Sequence, residues 1–173
     1  MLSSGLAFPE IKAAENPTGP TADSSTGKFD IVLRNNVQMQ LFGLEDVTFN
    51  AASGGDLKGS TPSCVNSNVE RYQVSLESSN DFALMAGSGT TTGNIPYLLT
   101  YSQELGAKDQ VWGAGHLGSG ATAGDFQRDG PILTDLICSV VDSKITVDIK
   151  EVNYTGKPEG VYTDTVTVVV SSI

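Results

Sequence analysis

Apolar residues recur at every second position over short stretches of the chain, and no stretch sustains a helical period. In "CVNSNVERYQVSLES", Tyr72, Val74 and Leu76 alternate with Arg71, Gln73, Ser75 and Glu77. "IPYLLTYSQ" repeats the pattern with Ile95, Tyr97, Leu99 and Tyr101, and "SKITVDIKEV" repeats it with Ile145, Val147 and Ile149. A period of two is that of a half-buried β-strand, because successive side chains point to opposite faces. Earlier in the chain, "KFDIVLRN" carries Phe29, Ile31 and Leu33, and "VQMQL" carries Val37, Met39 and Leu41 on the same odd parity. They read as one long strand kinked at Asn35-Asn36 or as two short ones. The closing stretch "GVYTDTVTVVVSSI" sets Tyr162, Val166, Val168 and Val170 on one face and Thr163, Thr165 and Thr167 on the other. Such β-branched residues fit a pleated surface, and their apolar face must be covered by something.

Between the strands, "AASGGDLKGSTPS" and a Gly-rich region over about residues 106–131 read as loops. Short alternating strands separated by turn residues predict an all-β sandwich, since each sheet must hide one face against another. Residues 1–27 differ from the rest: Pro, Gly, Ser and Thr dominate from Asn16 onward, which reads as a linker. Within it only "GLAFPEIKA", with Leu6, Phe8 and Ile11, has apolar content to dock. The expected organisation is an N-terminal extension over 1–27 and one sandwich domain over 28–173.

Composition agrees with a turn-rich β protein: charged residues are 17% of the chain and glycines number 19. The net charge of -10 argues against nucleic acid and anionic membrane surfaces, both of which would repel the chain. No run approaches the roughly 18 apolar residues of a membrane-spanning helix, and no signal-peptide pattern opens the chain. Cys64 and Cys138 lie far apart, without C-x-x-C spacing. A buried disulfide, implying an oxidising compartment, is the expected reading, against two free core thiols suited to a cytosolic protein.

Catalytic and cofactor chemistry finds little support. "GAGHLG" at 113–118 matches G-x-G-x-x-G by letters, but a phosphate-binding turn needs a helix after it, and "SGATAGDF" is a poor helix. His116 is the only histidine and has no acidic partner in a recognisable motif. Asp46, Asp56 and Asp81 do not cluster as a calcium loop does, and zinc needs about four ligands that this composition does not supply. Trp112, Tyr97 and Tyr101 are candidate sugar-stacking platforms, with an edge-plugging role for Trp112 as the plainer reading. Asn153-Tyr154-Thr155 forms a glycosylation sequon by letters. No cofactor, no metal and no enzymatic activity are expected.

"GVYTDTVTVVV" resembles the closing strand of spore coat protein U domains and of the major subunits of archaic chaperone-usher pili, which end in a Gly-x-Tyr-x-Asp-x-Val pattern. In order, "GKFDIVLRN", "LEDVTFN", "CVNSNVERYQVSLES", "IPYLLTYSQ", "VWGAGHLG" and "SKITVDIKEVNYTGKPEGVY" are similar to successive segments of that family, so the resemblance covers about residues 27–173. One departure concerns the cysteines. Family members often pair a first-strand cysteine with one at the place of Cys64, whereas Phe29 to Leu41 contains none, leaving Cys138 as the partner here.

The resemblance implies an incomplete immunoglobulin-like sandwich, completed by a donor strand from a neighbouring subunit. Tyr162, Val166, Val168 and Val170 would line the acceptor groove. The donor would come from Leu6, Phe8 and Ile11 or from Phe29, Ile31 and Leu33, and in the second case "VQMQLFG" opens the subunit's own sandwich. It implies other copies of the chain, a periplasmic chaperone and an outer-membrane usher as partners, and an extracellular fimbria supporting adhesion or biofilm formation. A self-contained adhesin or carbohydrate-binding sandwich, and a viral or phage coat or decoration protein, are the competing classes.

Overall fold

The computed structural model describes residues 29, 31–33, 36–87, 93–103, 109–128 and 141–173. The chain divides into two units, Met1–Asn36 and Val37–Ile173. In the first, the described residues belong to no strand or helix, and Phe29, Ile31 and Leu33 are 74%, 85% and 90% exposed. The strand expected over "KFDIVLRN" is therefore not formed at these residues. Alternation alone does not make a strand; a paired edge and a covered face do.

The second unit is all-β and antiparallel throughout its ladders. One sheet has five strands in the order β1 (Met39–Phe42), β2 (Leu57–Ser67), β9 (Ser143–Ile149), β6 (Leu98–Gln103) and β7 (Gln110–Gly113). A second sheet orders β11 (Val166–Ser172), β3 (Arg71–Ser78) and β8 (Thr122–Gln127), and a small third sheet orders β10 (Tyr162–Thr163), β4 (Ala83–Ala86) and β5 (Asn94–Pro96). The helical content among the described residues is a 3-10 turn at Ala51–Ser53 and one α-turn, α1, at Glu151–Tyr154.

A single core joins these sheets. Tyr72, Val74 and Leu76 of β3 and Phe126 of β8 pack with Val65 of β2, Leu99 and Tyr101 of β6, Trp112 of β7, and Ile145 and Ile149 of β9. The Phe126 ring lies between Tyr101, at 4.7 Å, and Tyr72, at 5.7 Å. The two tyrosine hydroxyls meet at 3.0 Å, so two buried polar groups satisfy one another across the sheets. All four alternating residues of "IPYLLTYSQ" are buried as expected, but the stretch serves two sheets. β5 pairs with β4, the Tyr97 N–H then bonds the Phe82 carbonyl at 3.0 Å, and β6 continues between β9 and β7.

Two expected loops contain strands. In "AASGGDLKGSTPS" the segment from Leu57 onward belongs to β2, in register from Leu57↔Ile149 to Ser63↔Ser143. Its glycine reflects close packing: a Cβ on Gly59 would lie 2.6 Å from Val47 Cγ1 and 3.0 Å from the Phe49 ring. The Gly-rich region over 106–131 holds β7 and β8. Each is short, with its strand-favouring residues (Val111 and Trp112, Thr122 and Phe126) set beside glycine, and pairing with β6 and β3 extends it.

Within β8 the register against β3 shifts between Tyr72 and Val74, and Gly124 sits at this bulge with φ +86. A Cβ there would come within 2.1 Å of the Phe126 ring. Gly124→Ala should therefore destabilise by about 2–5 kcal/mol, combining a left-handed backbone penalty of about 1–2 with an overpacking cost of about 1–3. Gly115→Ala, where φ is +79 but nothing lies within 4 Å, should lose the backbone part alone. Urea unfolding of the two variants checks the difference.

Candidate functional site

Among the described residues, β11 is an edge strand. β11 pairs with β3 from Val166↔Ser78 to Ser172↔Tyr72. Ser79 N–H donates to the Thr165 carbonyl at 3.0 Å, and Ile173 N–H to the Arg71 carbonyl at 3.5 Å. The Leu76 carbonyl, opposite Val168, turns away from β11 and accepts from Gly120 N–H at 2.9 Å. Antiparallel alternation then directs the peptide groups of Thr167, Val169 and Ser171 to β3 and those of Val166, Val168, Val170 and Ser172 to the other side. On that side no strand among the described residues pairs with β11.

β1 mirrors this arrangement. Asn68 N–H donates to the Gln38 carbonyl at 3.1 Å, so Gln40 and Phe42 continue the bonding to β2, and Met39 and Leu41 turn their peptide groups to the opposite edge. β1 runs beside β11, yet no ladder joins the two. Met39 and Leu41 from one strand and Val166, Val168 and Val170 from the other pack against the core while remaining only half-buried. On the neighbouring β3, Tyr72, Val74 and Leu76 are 0% exposed. The pair of edges thus flanks an apolar seam whose inward side chains are incompletely covered.

Asp164 ends this seam. Its carboxylate accepts from the Tyr97 hydroxyl at 2.6 Å, the Ser78 hydroxyl at 2.6 Å, Asn80 Nδ2 at 3.0 Å and Thr165 N–H at 2.8 Å. Ser78 Oγ in turn accepts from Phe82 N–H at 2.6 Å and Asn80 N–H at 3.1 Å, which supports the turn where Asp81 and Phe82 adopt φ of 52 and 58. Burial first, and then the hydrogen bond and charge of Asp164, push the Tyr97 phenol well above its ordinary range.

The sequence candidates fall into separate places. Val166, Val168 and Val170 share β11, whereas Tyr162 lies on β10, paired to Ala86, with its hydroxyl on the Pro158 carbonyl at 2.8 Å. The single strand read from Tyr162 to Val170 is broken at Asp164 and Thr165. Trp112, Tyr97 and Tyr101 are 0%, 3% and 0% exposed, which corrects the sugar-platform reading: no ring face is presented to solvent. Trp112 plugs the core and donates from Nε1 to the Ala121 carbonyl at 2.9 Å.

"GAGHLG" is a turn closed by His116 N–H on the Gly113 carbonyl, and a strand follows it, so the phosphate-loop geometry is missing. Asn153 spends its side-chain amide on the Pro96 carbonyl at 2.8 Å, and Asp56 binds Lys150 at 2.7 Å. Among the described residues no group of three or more His, Cys, Asp or Glu could hold a metal ion. Cys64 is buried on β2 opposite Phe42; Cys138 lies outside the described residues, as do Leu6, Phe8 and Ile11.

No family model matches the chain, and no curated protein matches it. One chain in a solved structure of a chaperone–tip adhesin complex, described as vital for synergistic activation of CFA/I fimbriae biogenesis, has a similar fold. The TM-score is 0.52 and the identity 16%, over 80% of this chain and 42% of that one. The chain thus spans less than half the length of the protein it matches. At this identity the likeness is one of fold: an all-β, antiparallel architecture shared with a fimbrial assembly protein.

The buried hydroxyls yield a pH prediction. Tyr72, Tyr97 and Tyr101 are all pushed above the ordinary value of 10.0, burial being the largest cause in each. An acid held neutral in the folded state stabilises it fully below the ordinary value, and that stability is lost as pH rises beyond it. Ultraviolet titration should therefore show these three of the five tyrosines ionising only together with unfolding.

Proposed function

We propose that the chain is a structural subunit of an extracellular fimbria and polymerises head-to-tail by donor-strand complementation. The open seam between β1 and β11 carries this reading, because its unpaired peptide groups and half-buried Met39, Leu41, Val166, Val168 and Val170 call for one more strand. The same chain offers such a strand in Phe29, Ile31 and Leu33, which alternate, are exposed and are unpaired to any strand of the described residues. Leu6, Phe8 and Ile11 remain the second donor candidate, weakened by Pro9, which removes a ladder donor. A contact between unlike surfaces generates an open filament, not a closed ring.

An apolar edge awaiting a partner is an aggregation hazard, so a periplasmic chaperone would cover it and an outer-membrane usher would exchange it for a donor. The fold shared with a chain of a fimbrial chaperone–adhesin structure supports those partners and a cell-surface location in a fibre serving adhesion or biofilm formation. Cys64 and Cys138 would form a disulfide in that oxidising route, consistent with the absence of a free cysteine among the described residues.

Deleting residues 1–34 removes both donor candidates and should abolish fibres seen by electron microscopy. Val168→Asp, which puts an unpaired carboxylate into the apolar seam at a cost of about 3–5 kcal/mol, should also block assembly. Fibres of normal repeat from the deletion variant would overturn donor-strand exchange. Separately, intact-mass measurement with and without reduction should show one Cys64–Cys138 bond, contributing about 4 kcal/mol on the chain-entropy estimate.

A further inference from the structure

Nothing in the valine pattern of β11 distinguishes its observed register from one slipped by two residues. A one-residue slip would turn Val166, Val168 and Val170 to solvent and is strongly disfavoured. A two-residue slip keeps the alternation, because Val166, Val168 and Val170 repeat with the same period as the ladder. The feature that breaks this degeneracy is Asp164, a carboxylate on the same inward parity as the valines.

We propose that Asp164 is the positioning residue of the acceptor edge, pinning β11 in register against β3 so that the valine pockets stand ready for an incoming strand. Ser78, which holds its carboxylate at 2.6 Å, is also the residue directly opposite Val166. Ser79 reinforces the pin: its N–H and its hydroxyl both bond the Thr165 carbonyl, at 3.0 and 3.2 Å. Tyr97 and Asn80 bring in the sheet crossover and the β3–β4 turn, so four groups from three parts of the chain converge on one side chain. A slip by two would carry the carboxylate away from Tyr97 and Asn80, or would set a valine among their polar groups. Either leaves the hydroxyls of buried Tyr97 and half-buried Ser78 without their carboxylate acceptor, which a native structure avoids.

This inference rests on the reading of β11 as an acceptor edge, and the experiment separates the two. In the full chain, nuclear magnetic resonance would read the cross-strand contacts Val168–Leu76 and Val170–Val74 in the monomeric fraction, while light scattering and electron microscopy follow assembly. Asp164→Ala should show a second set of contacts displaced by two residues and assemble at least about tenfold more slowly, the scale of losing one charge-assisted hydrogen bond. Asp164→Asn keeps an acceptor for Asn80 and Thr165 and should fall between it and the native chain. Asn80→Ala, which removes one exposed bond, should show the same direction to a smaller degree.

A single unshifted register in Asp164→Ala with native assembly overturns the proposal. So does loss of the β2 and β9 resonances together with those of β11 in Asp164→Ala, when Asn80→Ala assembles as the native chain does. Failure of the native chain itself to form fibres would count against the fimbrial reading, while the register contacts would still decide the role of Asp164.

Discussion

In an antiparallel strand the residues that turn their side chains inward and the direction of their peptide groups follow the same alternation, and at β11 the two coincide. Val166, Val168 and Val170 face the core, and the same residues direct N–H and C=O to the edge that β3 does not occupy. The apolar surface and the unpaired backbone must therefore be satisfied together. Water would satisfy the peptide groups and leave the valines exposed; a packed helix would cover the valines and leave the peptide groups unbonded. An extended backbone with apolar alternate side chains would do both, which is why the occupant proposed for this seam is a strand.

The rest of the molecule is graded around that edge. β3, flanked by β11 and β8 and facing the five-stranded sheet, buries Tyr72, Val74 and Leu76 completely. One strand away, the inward residues of β11 are half-buried, and Met39 and Leu41 of β1 are in the same condition. The small sheet of β10, β4 and β5 acts as a strut at one end, tied to the start of β11 through Asp164 and Tyr97. Full burial at β3 and incomplete cover at β11 are thus consequences of one topology, in which β11 is an edge strand among the described residues.

Strands carried by strong alternation were legible in the sequence: β3, β6, β9 and β11 follow the apolar period closely. The first half of β2 and both β7 and β8 were not, since their few strand-favouring residues are interrupted by Gly or Pro and show no sustained alternation, and pairing extends them here. The valines of the candidate site were readable from their period, but the break between Tyr162 and Val166 was missed. A signal for it existed, because a carboxylate in an otherwise apolar inward stripe demands partners that a continuous strand does not provide. Trp112, Tyr97 and Tyr101 illustrate the opposite limit: composition marks them as adaptable aromatics, and only the sheet pairing reveals that all three are enclosed.

Charge adds a second control on the seam. The chain carries a net charge of -10, so copies of it repel once their surfaces approach within a screening length, about 8 Å at physiological ionic strength. At contact that repulsion is opposed by area and hydrogen bonds, and among the described residues the seam offers five half-buried apolar side chains and peptide groups that no strand pairs. Nonspecific contact between two acidic surfaces gains little to offset the repulsion. On the proposed donor-strand reading, a strand entering in register would gain ladder bonds and bury valines at the same moment, so the acidic composition and the apolar edge together would favour that one mode of association over general stickiness.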